Sequence, residues 1–114
     1  MLSSEYRLRH EKDIKALFAR GKSVFGIWLG MKFQPNKLSV SRFAVVVGTK
    51  VSKKAVVRNR LKRQIRAVIQ EYLPRTNPGY DVLFFLKKEA IGKDFEEISK
   101  QVVQSLKKAR LLSV

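Results

Sequence analysis

The sequence predicts an α+β fold, a two-layer sandwich in which helices pack on a small mixed β-sheet in the order αβββαβα. Three observations lead there. Segments of helical period occupy both ends and the middle of the chain, and short apolar runs such as "FAVVV" and "VLFFL" lie between them. The 114 residues are 45% hydrophobic and 10% aromatic, which suits one modest core and a single domain over residues 1–114.

The first helix is expected over Glu11–Arg20, with Ile14, Leu17 and Phe18 on one face and Gly21 placed as a left-handed cap. "SVFGIWLGMKF" (23–33) reads as strand, its two glycines marking bulges or close approaches. "QPNKLSVS" supplies turn chemistry, and "RFAVVVGTKV" reads as a strand buried on much of both faces. A long helix is expected over Ala55–Leu73, ended by Pro74. "RTNPG" is a turn and "YDVLFFLKK" a strand. The last helix begins at Asp94, paired with Glu97 as a capping box, and carries the stripe Phe95, Ile98, Val102, Leu106 and Ala109. Its acids lie early and Lys107, Lys108 and Arg110 late, as the helix dipole prefers.

Charge is distributed unevenly. Residues 14–70 hold 14 Lys and Arg and no carboxylate, so this half of the chain carries nearly all of the net +16. Ordinary surfaces intersperse both signs. A folded domain with this much self-repulsion is expected to meet a polyanion, and nucleic acid fits better than an anionic membrane, because no stretch pairs a basic face with the broad Trp/Phe/Leu face of an interfacial helix. The chain has no cysteine, which excludes disulfides, Cys-type zinc sites and a thiol nucleophile. The opening "MLSSEYRLRHEKD" has no apolar run, and no run is long enough to span a bilayer, so a cytoplasmic location is expected.

The charge is densest in "KVSKKAVVRNRLKRQIR", eight cations in 17 residues. On a helical wheel Val57, Leu61, Ile65, Val68 and Tyr72 gather into one packing face, while Arg58, Asn59, Arg60, Lys62, Arg63 and Arg66 occupy the remaining arc. A merely solvated helix face alternates signs to gain i,i+4 pairs. Here Arg58, Lys62 and Arg66 stand four apart and repel. Arg outnumbers Lys in this helix, as suits bidentate phosphate contacts.

"VSKKAVVRNRLKRQIR" resembles the signature of the bacterial ribonuclease P protein subunit. "YRLRHEKDIKALFARGKSV", "GYDVLFFLKKEA" and "SLKKARLL" resemble that family's first helix, last strand and C-terminal helix. The resemblance implies a fold shared with a ribosomal-protein domain, with a left-handed βαβ crossover leading to the basic helix. It implies binding to ribonuclease P RNA, through Lys53, Lys54, Arg58, Asn59, Arg60, Lys62, Arg63 and Arg66. It further implies a cleft between the first helix and the sheet for the 5′ leader of precursor tRNA, with Ile14 and Phe18 at the family's positions. Ile14 stands where the family often has Phe, and the strand aromatic of the cleft falls somewhere within Trp28–Phe33. Lys54 runs directly into Ala55, where the family commonly carries further residues.

The resemblance implies an accessory subunit of an endoribonuclease whose RNA, with Mg2+, performs the hydrolysis. The residues agree with that: the single histidine, His10, and the scattered acids form no catalytic or metal-ligating constellation, and there is no P-loop. No catalytic side chain, no protein-bound cofactor or metal, and no protein partner is expected. The alternative is a ribosomal-type or general structured-RNA-binding protein with no processing role.

Overall fold

A computed structural model describes residues 2–112. Strands β1 (Lys22–Phe25), β2 (Leu29–Pro35), β3 (Arg42–Val46) and β4 (Tyr80–Leu86) form one mixed sheet in the order β1-β2-β4-β3. β1 and β2 are an antiparallel hairpin, β2 and β4 are antiparallel, and β3 and β4 are parallel. Parallel strands need a long crossover; here it contains the basic helix, α2 (Ala55–Tyr72), while α1 (Glu11–Arg20) precedes the sheet and α3 (Phe95–Lys108) follows it. The predicted element order is the observed one.

Period-2 alternation divides the sheet into two faces. Leu29 and Met31 of β2, Phe43 and Val45 of β3, and Val82, Phe84 and Leu86 of β4 enter the main core together with α2 and α3. Ala44 and Leu83 point the other way and form a second, smaller cluster with Leu8 and Leu17, against which Ile14 and Val46 pack. Helix α1 thus lies on the opposite face from α2 and α3. Toward the hairpin end of that face Phe25 stays exposed.

Helix α2 buries Leu61, Ile65, Val68 and Ile69, with Val57 and Tyr72 half-buried beside them. Each full burial contributes on the order of 2 kcal/mol. An i,i+4 like-charge pair costs only a few tenths, so the apolar stripe holds the helix in place despite its cations. The helix stops at Tyr72, slightly before the expected Leu73, and a 3-10 turn over Leu73–Arg75 takes Pro74 into its own start. Helix α3 opens with the predicted capping box: Glu97 N–H donates to Asp94 Oδ1 at 2.8 Å and the Glu97 side chain returns to Asp94 N–H. It closes as a Schellman turn, with Arg110 left-handed at φ 60° and Leu111 N–H donating to the Leu106 carbonyl at 2.9 Å.

Two expectations are corrected. Gly21 is extended (φ −68°), not left-handed. It is required for space: a Cβ there would lie 2.6 Å from the Leu17 carbonyl oxygen, the acceptor of the Gly21 N–H. Phe95 leaves the apolar stripe of α3 and is 44% exposed, because it occupies the first position of the helix, beyond the edge of the core.

Gly30 is the second point of close approach, and it makes no bulge. It pairs across the ladder with Phe85, whose ring lies over it, and a Cβ at Gly30 would overlap that ring. Gly30→Ala is therefore expected to cost about 1–3 kcal/mol in urea unfolding through overpacking. In a Phe85→Ala background the same change should cost below about 0.5 kcal/mol. Equal costs in both backgrounds would show that the ring does not set the requirement for glycine.

Candidate nucleic-acid interface

The packing of α2 decides where its charge goes. With its apolar stripe against β3 and α3, Asn59, Arg60 and Arg63 are exposed, and Arg58, Lys62 and Arg66 are half-buried along the flanks. Lys53 and Lys54 are exposed in the approach to the helix, Lys54 being its N-cap residue without a side-chain cap. Arg58 folds back so that Nη1 donates to the Ser52 carbonyl at 2.9 Å, tying the approach segment to the first turn. No acid lies in that turn, so Lys53, Lys54 and Arg58 stand at the positive end of the helix dipole, where a bound anion is favoured.

The acids that form ion pairs among the described residues lie off α2. Asp81, only 5% exposed, accepts a bidentate contact from Arg42 at 2.9 and 2.8 Å and a hydrogen bond from the Asn36 side-chain N–H at 3.0 Å. This hydrogen bonding raises the Arg42 pKa, against a smaller opposing effect of desolvation. Asp13 adds a longer contact to Arg42 at 3.8 Å, and Lys15–Glu11 and Lys93–Glu97 pair locally within or at the start of their helices. Among the described residues none of the eight predicted RNA-facing side chains has a carboxylate partner. Arg66 has its pKa lowered instead, first by burial and then by the charge of Arg7.

The opposite face carries the second predicted site. Helix α1 presents Ile14, half-buried against the cluster of Leu8, Leu17, Ala44 and Leu83, and Phe18, 38% exposed. Phe18 meets Phe85 of β4 with ring centroids 5.9 Å apart at 45°. The strand aromatic expected within Trp28–Phe33 is corrected: Trp28 is buried in the main core and Phe33 packs on that side against Tyr80. On the α1 side of the sheet stand Phe85 and, beyond Gly30 in the same cross-strand row, Phe25, 64% exposed. Parity gave a usable signal for both. Phe25 lies opposite Gly30 and Phe85 alternates with Phe84, but the pairing register had to be known to use it.

Arg7 is the cation that sequence reasoning missed. It stands in the segment before α1, with Nε donating to the Leu2 carbonyl at 3.0 Å. With Arg66 it lines two depressions. One, of about 570 Å3, runs along α2 past Arg63, Ala67, Gln70 and Glu71. The other, of about 320 Å3, lies over Ile14, Arg9 and Phe43–Val46. Arg7 and Arg66 thus border both the depression along α2 and the one beside α1.

His10 is exposed at the N-cap of α1 and makes no side-chain capping bond. Among the described residues no group of three or more His, Asp or Glu side chains is placed to hold a metal ion, and no helix is long and apolar enough to cross a membrane.

A family profile described as Ribonuclease P matches residues 2–110. The ribonuclease P protein component of Microcystis aeruginosa is 40% identical over 111 residues, spanning 94% of this chain and 92% of its own. That of Synechocystis sp. is 38% identical over 112 residues, spanning 97% and 90%. The solved RNase P protein of Staphylococcus aureus has the same fold, with a TM-score of 0.87 at 23% identity over 95% of this chain and 98% of that one. The chain belongs to the bacterial ribonuclease P protein family, the protein component of a tRNA-processing endoribonuclease.

Proposed function

We propose that this subunit binds ribonuclease P RNA with the outer side of α2 and holds the 5′ leader of precursor tRNA in the cleft between α1 and the sheet, as one RNA-binding domain acting in the cytoplasm. The observation that carries the first half is the row Lys53, Lys54, Arg58, Arg60, Lys62, Arg63 and Arg66, none with a carboxylate partner among the described residues. Neutralising such a row on phosphates releases counterions from the RNA and relieves repulsion within the helix. Asn59, exposed among them, offers an amide for base or sugar edges. The cleft reading is supported by Phe18, Phe85 and Phe25, whose rings offer stacking surfaces to unpaired bases, with Ile14 as an apolar wall. Hydrolysis is assigned to the RNA and its Mg2+. The protein lowers the electrostatic cost of bringing two RNAs and metal ions together.

Leader removal assayed at low Mg2+ with the RNA alone and with this protein is expected to speed up on addition of the protein. Absence of stimulation, with equal affinity for unrelated structured RNAs, would leave a general RNA-binding module instead. Reversing Arg60 and Arg63 to Glu is expected to weaken binding to the RNA and flatten its salt dependence by about 0.9 in slope per lost duplex-phosphate contact; an unchanged slope removes this face from the interface. Phe18→Ala is expected to lower the affinity of the assembled enzyme for precursor tRNA by about 1–3 kcal/mol, leaving affinity for leaderless tRNA unchanged. Equal losses for both substrates would take the leader out of the cleft.

A further inference from the structure

We propose that the groove bounded by Arg7, Arg63, Arg66, Ala67, Gln70 and Glu71 holds a single unpaired nucleotide of ribonuclease P RNA, its phosphate between the Arg7 and Arg66 guanidinium groups and its base on the aliphatic floor beside Ala67. The inference rests on the assignment of the α2 face to that RNA and adds a discrete site to it.

The groove is built for such an occupant. At about 570 Å3 it lies within the range of about 300–1,000 Å3 typical of sites for one small molecule. Its lining is mostly apolar, made of Ala67 and the stems of long side chains, while its rim carries three arginines. Neither Arg7 nor Arg66 has a carboxylate partner among the described residues, and the two cations oppose each other electrostatically. Arg7 is already held by the Leu2 carbonyl, so part of its ordering cost is met before RNA arrives. An anion between the two relieves the opposition.

The occupant is a nucleotide rather than a bare phosphate because the apolar floor needs a flat apolar partner, and guanidinium planes stack on bases. It is unpaired because extruding a base from a duplex into the groove would add an unpairing and unstacking cost that a single-stranded base does not carry. Glu71 and Gln70 lie where a base edge would be read; a carboxylate there accepts from amino or imino N–H groups and disfavours edges made of acceptors alone. The source is the ribonuclease P RNA because the groove runs along α2 and shares Arg63 with the basic face. The depression toward the leader cleft, with Ile14, lies on the other side of Arg7 and Arg66.

The test uses the full chain and ribonuclease P RNA, with affinities measured over a salt series. Arg7→Gln and Ala67→Trp, the latter at an exposed position that tolerates bulk, are each expected to weaken binding about tenfold. Arg7→Gln should also reduce the salt slope by about 0.7 for a single-strand phosphate, and Arg7→Lys should restore that slope. Ala67→Trp should leave the slope unchanged, since it removes no charge. Wild-type or tighter binding by Ala67→Trp overturns the proposal. So does an Arg7→Gln defect seen only for leader-bearing precursor tRNA, which would place the nucleotide on the substrate. Arg60→Glu, outside the groove, is the reference: if it alone loses affinity, only the groove assignment fails, and if all variants bind normally, the wider reading of the α2 face fails with it.

Discussion

The attachment of α2 through one greasy edge is the constraint on which the molecule depends. Leu61, Ile65, Val68 and Ile69 commit that edge to the sheet and to α3, and this commitment fixes the azimuth of every cation on the helix. The energetics are lopsided. Burial of four aliphatic side chains outweighs several weak repulsions between solvated charges, so the fold can carry a charge pattern that an isolated helix of the same sequence would resist. Rigid mounting also fixes the spacing of those cations in the free protein, so an anionic partner would meet them already ordered.

The acids follow the same logic by their placement. Asp81 is sequestered on the floor of the sheet, where it satisfies Arg42 and Asn36 and braces β3 against β4 and the turn after β2. The remaining ion pairs involve α1 and the start of α3. Among the described residues, ion pairing thus lies on the side of the sheet away from α2 and at the start of α3. The basic helix is left with a positive field that favours polyanions and weakens with added salt.

Much of this was legible in the residues. The 3.6-residue spacing of Val57 to Tyr72, the Asp94–Glu97 pair and the alternation in the strands report local preferences that tertiary packing reinforces. Other features depend on neighbours distant in sequence and were not legible. The requirement at Gly21 comes partly from the Phe33 carbonyl of the hairpin, beside the nearer Leu17, and that at Gly30 from a ring 55 positions away, brought there by the β2–β4 register. Trp28 and Phe33 looked eligible for the cleft because aromatic content is visible in a sequence whereas the face of a strand is not. Phe85 and Phe25 were hidden for the same reason. Arg7 carried no signal at all, since a lone cation in a segment without helical or strand period acquires meaning only when the fold sets it beside Arg66.

The pairing of the opening segment with β3 has a consequence for handling the chain. β3 is a border strand of the sheet, and its free side is partly occupied by the bridge between Arg7 and Phe43 and by the bond from Leu8 N–H to the Phe43 carbonyl at 2.8 Å. Those few residues act as a gasket. Trimming them would bare main-chain donors and acceptors next to Phe43 and create a sticky flank of the kind that templates self-association. Affinity tags and fusions therefore belong at the other terminus, or ahead of Leu2 with the gasket left whole.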